Sequence, residues 1–219
     1  PDAYYVSVEF ESGQSLTMLP QDNGWFVLET RCSAGSRYYY NIDGEMKVPD
    51  PASRAQVSDV HSASVVVDPL AYCWLHTDWL GRPWREAVIY ELHVGVLGGY
   101  AEVEKHLPRL AALGVTAIEL MPLAQFPGGR NWGYDGVLPY APQSTYGKPD
   151  QLKHLIDAAH GYGLMVILDV VYNHFGPDGN YLGQYAKGFF RDDVKTPWGP
   201  AIDFLREEVR DFFIDNALM

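Results

Sequence analysis

Leu164-Met165-Val166-Ile167-Leu168-Asp169-Val170-Val171-Tyr172-Asn173-His174 is the stretch whose reading decides the fold. An apolar run of this length with one acid inside it reads as a strand covered on both faces. Burying Asp169 is costly unless the carboxylate is paired and hydrogen-bonded. An acid accepted at the end of a parallel strand usually serves a site.

Working outward, Pro149 opens a helix at the position where proline is tolerated. Leu152, Leu155, Ile156 and Ala159 form its buried stripe, and Gly161 and Gly163 end it. A second strand is expected over 115–121. Before it, a helix over 102–113 places Val103, Leu107, Leu110 and Leu113 on one face. Pro108 inside that pattern predicts a kink or a late start, and Gly114 is a natural stop. A first strand is expected over 87–94. A last helix is expected over 204–218, with Val209, Phe212, Phe213 and Ala217 facing inward. Repeated strand–helix units imply a parallel sheet, either doubly wound or a barrel. No G-x-G-x-x-G follows the first strand, which weakens a dinucleotide reading. The long insert at 122–148 favours the C-terminal face of a TIM-type barrel. A full barrel needs eight units and about 250 residues, and only about three units fit here.

Before residue 84 the chain has a different character. Short alternating runs at 4–10, 25–28, 37–42 and 65–67 are separated by Ser12-Gly13, Asp22-Asn23-Gly24 and Asp43-Gly44. This pattern suggests an antiparallel sandwich. Pro49-Asp50-Pro51 and Asp68-Pro69 break the pairing. The expected division is an incomplete β-sandwich over 1–80 and part of a barrel over 84–219.

Composition narrows the function. The hydrophobic share of 47% is enough for a core and argues against disorder. A net charge of −12 without a basic cluster argues against nucleic acid and anionic membrane as partners. The 15 tyrosines and 6 tryptophans can stack on the C–H faces of sugars, although core filling is the favoured reading for most such rings. Cys32 and Cys73 lack C-x-x-C spacing, so neither a disulfide framework nor a zinc site is expected. H-E-x-x-H is absent. So are an apolar run of roughly 20 residues, as a membrane span needs, and a recognisable signal peptide.

Two places carry chemistry. Within the insert, Asn131-Trp132-Gly133-Tyr134-Asp135-Gly136 lets two rings project from a glycine-bent loop. Trp132 and Tyr134 can wall a flat apolar ligand face, with Tyr140 and Tyr146 extending it. The alternative is a loop folded over its own aromatic plug. At the end of the third strand, Asp169 can fix a neighbouring cation or donor, and His174 can donate to a substrate hydroxyl. The alternative there is an acid capping local backbone donors beside an exposed histidine. Glu91 and Glu119 also sit on strands; a structural pair with an arginine is the favoured reading and a catalytic role the alternative, and the same holds for His93. As metal ligands, Asp169, Asn173 and His174 make a weak set.

Asp169-Val170-Val171-Tyr172-Asn173-His174 resembles the first conserved motif of the α-amylase superfamily, glycoside hydrolase family 13. It is accompanied by Val88-Ile89-Tyr90-Glu91-Leu92-His93-Val94-Gly95 and Gly114-Val115-Thr116-Ala117-Ile118-Glu119-Leu120-Met121-Pro122. The Asn131–Gly136 stretch and Tyr140-Ala141-Pro142 belong to the same resemblance. Pro49-Asp50-Pro51-Ala52-Ser53-Arg54 and Ser64-Val65-Val66-Val67-Asp68-Pro69 resemble the sandwich preceding the barrel in the isoamylase and branching-enzyme groups. Asn173-His174-Phe175-Gly176-Pro177-Asp178-Gly179-Asn180-Tyr181-Leu182 and Thr196-Pro197-Trp198-Gly199 are most similar to the trehalose-releasing group.

The resemblance implies an immunoglobulin-like, isoamylase-type β-sandwich, akin to a carbohydrate-binding module, followed by an incomplete TIM (β/α)8 barrel. It implies a retaining hydrolase acting on α-1,4-glucan bonds. The implied substrate is maltooligosyl trehalose and the product is free trehalose. By the same resemblance, Tyr134 stacks on the sugar at the cleaved bond and His174 binds its primary hydroxyl. Asp169 orders the site through an arginine on the fourth strand. Trp132, Asp135, Tyr172 and Asn173 join Tyr134 on the substrate-binding side. No cofactor is expected; calcium is the alternative, because the asparagine matching Asn173 binds it in many amylases. Retaining glycosidases need a nucleophile and an acid/base carboxylate roughly 5 Å apart. The Gly-x-Arg-x-Asp motif that carries the nucleophile, and the acid of the fifth strand, do not occur in this sequence. The expectation is therefore a cytoplasmic fragment, truncated at both ends, lacking the remainder of the barrel and inactive alone. Asp169 is expected to lack its counterion. Two other readings stand beside this one. A glucan branching enzyme usually has Gln where Asp135 stands and a proline-containing motif around Asn173, so both differences favour the hydrolase. A non-catalytic glucan-binding fragment is the third reading.

Overall fold

The computed structural model describes residues 2–219. The N-terminal part contains β1 (Val6–Phe10), β2 (Ser15–Thr17), β3 (Leu19–Pro20), β4 (Phe26–Val27), β5 (Arg37–Ile42), β6 (Met46–Val48) and β7 (Ser64–Val65). They build an antiparallel sheet of order β2-β1-β5-β6, with β7 also on β5, and a separate β3–β4 ribbon. The Asp43-Gly44 turn joins β5 to β6. Both residues have positive φ, 54° and 75°, as a tight hairpin turn requires. The Asp43 carboxylate also accepts hydrogen bonds from the amides of Tyr4 and Tyr5, which anchors the start of β1. Val6, Ile42 and Val48 form a small core, against which Tyr181 and Tyr185 of the C-terminal part pack.

The second part continues with β8 (Ile89–Leu92), α1 (Val94–Leu97), α2 (Tyr100–Glu104), α3 (Leu107–Leu113), β9 (Ala117–Leu120), β10 (Ala124–Gln125), β11 (Leu138–Pro142), α4 (Pro149–Gly161) and β12 (Met165–Leu168). It ends with α5 (Leu182–Tyr185), β13 (Phe190–Thr196), β14 (Gly199–Ile202) and α6 (Glu207–Leu218). β8, β9 and β12 form a parallel sheet with β9 in the centre. Side chains alternate across a strand. Ile118 and Leu120 therefore pack with Leu107, Leu155 and Leu164 in the core under the helices, while Glu119 faces the other side of the sheet. No helix among the described residues is long and apolar enough to cross a membrane.

Several expectations are corrected by packing. The first strand covers only Ile89–Leu92, because the His93 ring accepts the Val96 amide and starts α1 at Val94. The helix expected over 102–113 is two helices, and the break falls at Lys105 and His106. Pro108 sits in the first turn of α3, where its missing N–H costs no helical hydrogen bond. The last helix begins at Glu207, and Ala217 in its last turn is exposed. Among the described residues β12 has β9 as its one neighbour, and Leu168 and Val170 are 46% and 53% exposed. Asp169 is accordingly half-buried.

Candidate active site

Because β8, β9 and β12 run parallel, the segments that follow them gather at one edge of the sheet. In a βα-barrel this edge is where sites are built. The 131–136 loop is braced from within and from β8. His93 Nδ1 accepts from the Val96 amide at 3.0 Å, which leaves the proton on Nε2 to be donated to the Asn131 carbonyl at 2.7 Å. The Asn131 side chain in turn donates to Asp135 Oδ2 and accepts from the Gly133 amide at 2.7 Å. Gly133 has φ 102°, and a Cβ there would collide with the Pro122 carbonyl, so only glycine fits.

This bracing sets the two aromatic rings. Trp132 is 74% exposed and Tyr134 38% exposed. The Tyr134 hydroxyl donates to Asp169 Oδ2 at 3.0 Å. That hydrogen bond is the main reason the phenol is harder to ionise than usual; burial and the charges of Asp169, Glu91 and Glu119 act in the same direction. Tyr134 thus presents a neutral ring, fixed at its tip by the half-buried acid. Tyr140 and Tyr146 do not extend this wall. Tyr140 is buried with its hydroxyl on the Phe212 carbonyl, and Tyr146 is buried among His93, Tyr100 and Phe126.

Beyond β12, Asn173 is exposed and its amide nitrogen lies 2.9 Å from His174 Nδ1. An amide N–H can only donate, so Nδ1 accepts and the proton sits on Nε2. That Nε2 is buried with no hydrogen-bond partner. The imidazole stacks on Trp198 with centroids 4.2 Å apart and planes at 22°. Both rings border a pocket of about 290 Å³ that Phe175, Lys187 and Phe190 also line. Tyr172 turns the other way, its hydroxyl on Asn216 Oδ1 and its ring against Phe213. Glu91 and Glu119 stand side by side in the sheet register. Among the described residues neither forms an ion pair, so the arginine partner expected for them is not supplied by this chain. Among the described residues there is also no cluster of three or more His, Cys, Asp or Glu that could hold a metal ion. Sequence reasoning did not assign site roles to Asn131 and Trp198, and it favoured a structural role for His93. The only local signal for Trp198 is an aromatic in a Thr-Pro-Trp-Gly turn.

Parallel strands alternating with helices, with their following loops gathered at one edge, define the class of fold: part of a TIM-type βα-barrel. The family described as alpha amylase, catalytic domain, matches residues 59–217, and the chain belongs to the alpha-amylase family. A malto-oligosyltrehalose trehalohydrolase from Deinococcus radiodurans is 44% identical over 211 residues, covering 95% of this chain and 35% of that protein. A 1,4-alpha-glucan branching enzyme from Corynebacterium jeikeium is 36% identical over 216 residues, covering 89% of this chain and 30% of that enzyme. The crystal structure of a proposed alpha amylase from Salmonella typhimurium superposes with a TM-score of 0.96 at 48% identity, over 99% of this chain and 38% of that one. The chain thus spans about a third of the length of these proteins.

Proposed function

We propose that this chain is the N-terminal portion of a retaining hydrolase that cleaves the α-1,4-glucosidic bond next to the terminal trehalose of maltooligosyl trehalose. In this reading residues 1–80 are a β-sandwich domain, and residues 84–219 are the first βα units of the catalytic barrel. The observation that carries it is the Tyr134–Asp169 hydrogen bond at the strand ends, with His174 on the loop that follows the same strand.

The chain's residues have supporting roles. Tyr134 offers a neutral aromatic face to the C–H face of the sugar at the cleaved bond, and Trp132 extends that surface. Asp169 fixes the Tyr134 tip, and Asp135 holds the loop through Asn131. The His174 Nε2–H is buried without a partner in this chain and would meet a sugar hydroxyl as the ring turns outward, with Nδ1 engaged by Asn173 and the ring stacked on Trp198. Tyr172 belongs to this site as support, bracing the strand end against α6. A retaining cleavage also requires two carboxylates roughly 5 Å apart, one as nucleophile and one as acid/base. In the proposal these come from the remainder of the barrel.

The higher identity to the trehalohydrolase than to the branching enzyme, 44% against 36%, supports hydrolysis over transfer. Product analysis of the full-length protein on maltooligosyl trehalose tests this. Free trehalose and a shortened maltooligosaccharide are expected. New α-1,6 branches, or no cleavage at all, would refute it.

A further inference from the structure

Behind the His174 loop, residues of the N-terminal half reach the site. We infer that His61 is a positioning residue for the sugar-binding loop at 174–181, so that the segment at 59–62, which precedes the parallel strands, is a working part of the active site. This inference rests on the role proposed above for His174.

The supporting loop is stiff on its own account. The Ser62 hydroxyl accepts from the amides of Ser58 and Asp59 and donates to the Asp59 carbonyl, while the Asp59 carboxylate takes the His61 amide at 2.7 Å. From this base Val60 inserts fully buried into a cluster with Val137, Phe175, Leu182 and Phe213. His61 beside it engages the loop with both ring nitrogens. Nε2 lies 3.2 Å from Asp178 Oδ2, which can only accept, and Nδ1 lies 2.7 Å from the Tyr181 hydroxyl. The imidazole edge also meets the Tyr181 ring at 6.0 Å.

The loop so gripped has little room to move. A Cβ on Gly179 would fall 2.5 Å from Val60 Cγ2 and 3.2 Å from Val137 Cγ2. On the opposite side Gly176 donates to the Gly136 carbonyl at 3.0 Å. The segment that starts with His174 is therefore held between the 131–136 loop in front and the 59–62 loop behind. The His61–Asp178 contact is partly exposed, and its ion-pair energy alone would be small. Its importance lies in geometry: a single imidazole bonds two side chains of the loop that carries the sugar donor.

The test uses the full-length protein and steady-state kinetics on maltooligosyl trehalose with His61→Ala, His174→Ala and the double variant. Tyr181→Phe removes one hydroxyl and stands in if His61→Ala does not fold. Trehalose release by the unchanged protein checks the proposed function separately. Should that fail, binding of maltooligosaccharides replaces turnover as the readout for the same variants. The expected result is a five- to tenfold loss of kcat/KM, or of affinity, in His61→Ala or Tyr181→Phe at a temperature where both stay folded. In the His174→Ala background the further loss should fall below twofold, because His61 acts through His174. A purely structural role predicts a lower Tm with unchanged kcat/KM. That outcome, or an equal loss in both backgrounds, overturns the inference.

Discussion

One carboxylate accepts four hydrogen bonds from the segment between the two parts of the chain, and replacing it should loosen that segment. Asp157 on α4 is buried, 1% exposed. It accepts from the Leu75 amide at 2.8 Å, the His76 amide at 3.0 Å, His76 Nδ1 at 2.9 Å and the Tyr72 hydroxyl at 3.2 Å. Burial pushes its carboxyl up, but those donors outweigh burial and hold it at about 2. In Asp157→Asn the amide oxygen can keep the His76 donors, and the Tyr72 hydroxyl can rotate to accept. The amide nitrogen then faces the Leu75 N–H, donor against donor. One unsatisfied buried donor costs about 1–3 kcal/mol. Taking about 2 kcal/mol, the released population rises roughly thirty-fold. Proteolysis tracks that population when reclosing is faster than cleavage. Limited chymotrypsin digestion of the full-length protein, with fragments identified by mass, should therefore cut within residues 72–80 roughly thirty-fold faster at neutral pH. The pH dependence follows from the sign of the shift. A carboxylate depressed in the folded state stabilises above its ordinary value of 3.8, and that contribution is lost as pH falls toward about 2. The variant and the unchanged protein should converge across this window, read with an acid-active protease. Cleavage within threefold of the unchanged protein at pH 7 would sink the reasoning.

Other expectations concern the site and its supports. Tyr134→Phe keeps the ring but loses the bond to Asp169, and should cost about 1 kcal/mol, a five- to tenfold drop in kcat/KM of the full-length protein. Tyr134→Ala removes the stacking face as well and should cost at least ten times more in the same assay. Gly133→Ala forces a side chain onto φ 102° and against the Pro122 carbonyl, so activity should fall more than tenfold while circular dichroism stays native; full activity would show that the loop adapts. Asn216→Ala breaks the links from α6 to the Tyr172 hydroxyl and the Pro139 carbonyl, and should lower Tm by a few degrees, as about 1 kcal/mol implies; an unchanged melt counts against it. Residues 1–219 alone should release no trehalose from maltooligosyl trehalose, and measurable release would contradict the assignment of both catalytic carboxylates to the rest of the barrel.

Local pattern carried the order of elements well. Leu155 and Ala159 are buried as the α4 stripe requires, and Asp43-Gly44 turns where the sequence says it should. Pattern failed where distant partners decide. An apolar run cannot say how many neighbours its strand has, and within this chain β12 pairs with β9 alone. Asp157 carries no sequence signal beyond being a polar residue of an amphipathic helix. Its partners, Leu75 and His76, lie about 80 positions away in a stretch with no periodicity. Tyr134 and Asp169 were each legible as site residues from their own motifs, but nothing local links two residues 35 positions apart. Tyr140 and Tyr146 show the converse error: a tyrosine in a loop and one in a core have the same letter, and only packing separates them.

What joins the pieces is backbone meeting backbone. Gly176 donates to the Gly136 carbonyl, and its α-carbon lies so close to the Asp135 carbonyl that no Cβ fits between them. The loop carrying Tyr134 and the loop carrying His174 therefore behave as one body, although they follow different strands. The Tyr134–Asp169 bond then ties that body to the end of β12, and His93 ties it to the end of β8. Each of these side-chain bonds is partly exposed and modest in energy, so none of them is the main source of stability. Their effect is to remove freedom: with both loops fused at Gly176, fixing one hydroxyl also fixes the ring, the loop behind it and the histidine beyond. A substitution at a joining glycine should accordingly disturb the site more than loss of any single hydrogen bond around it.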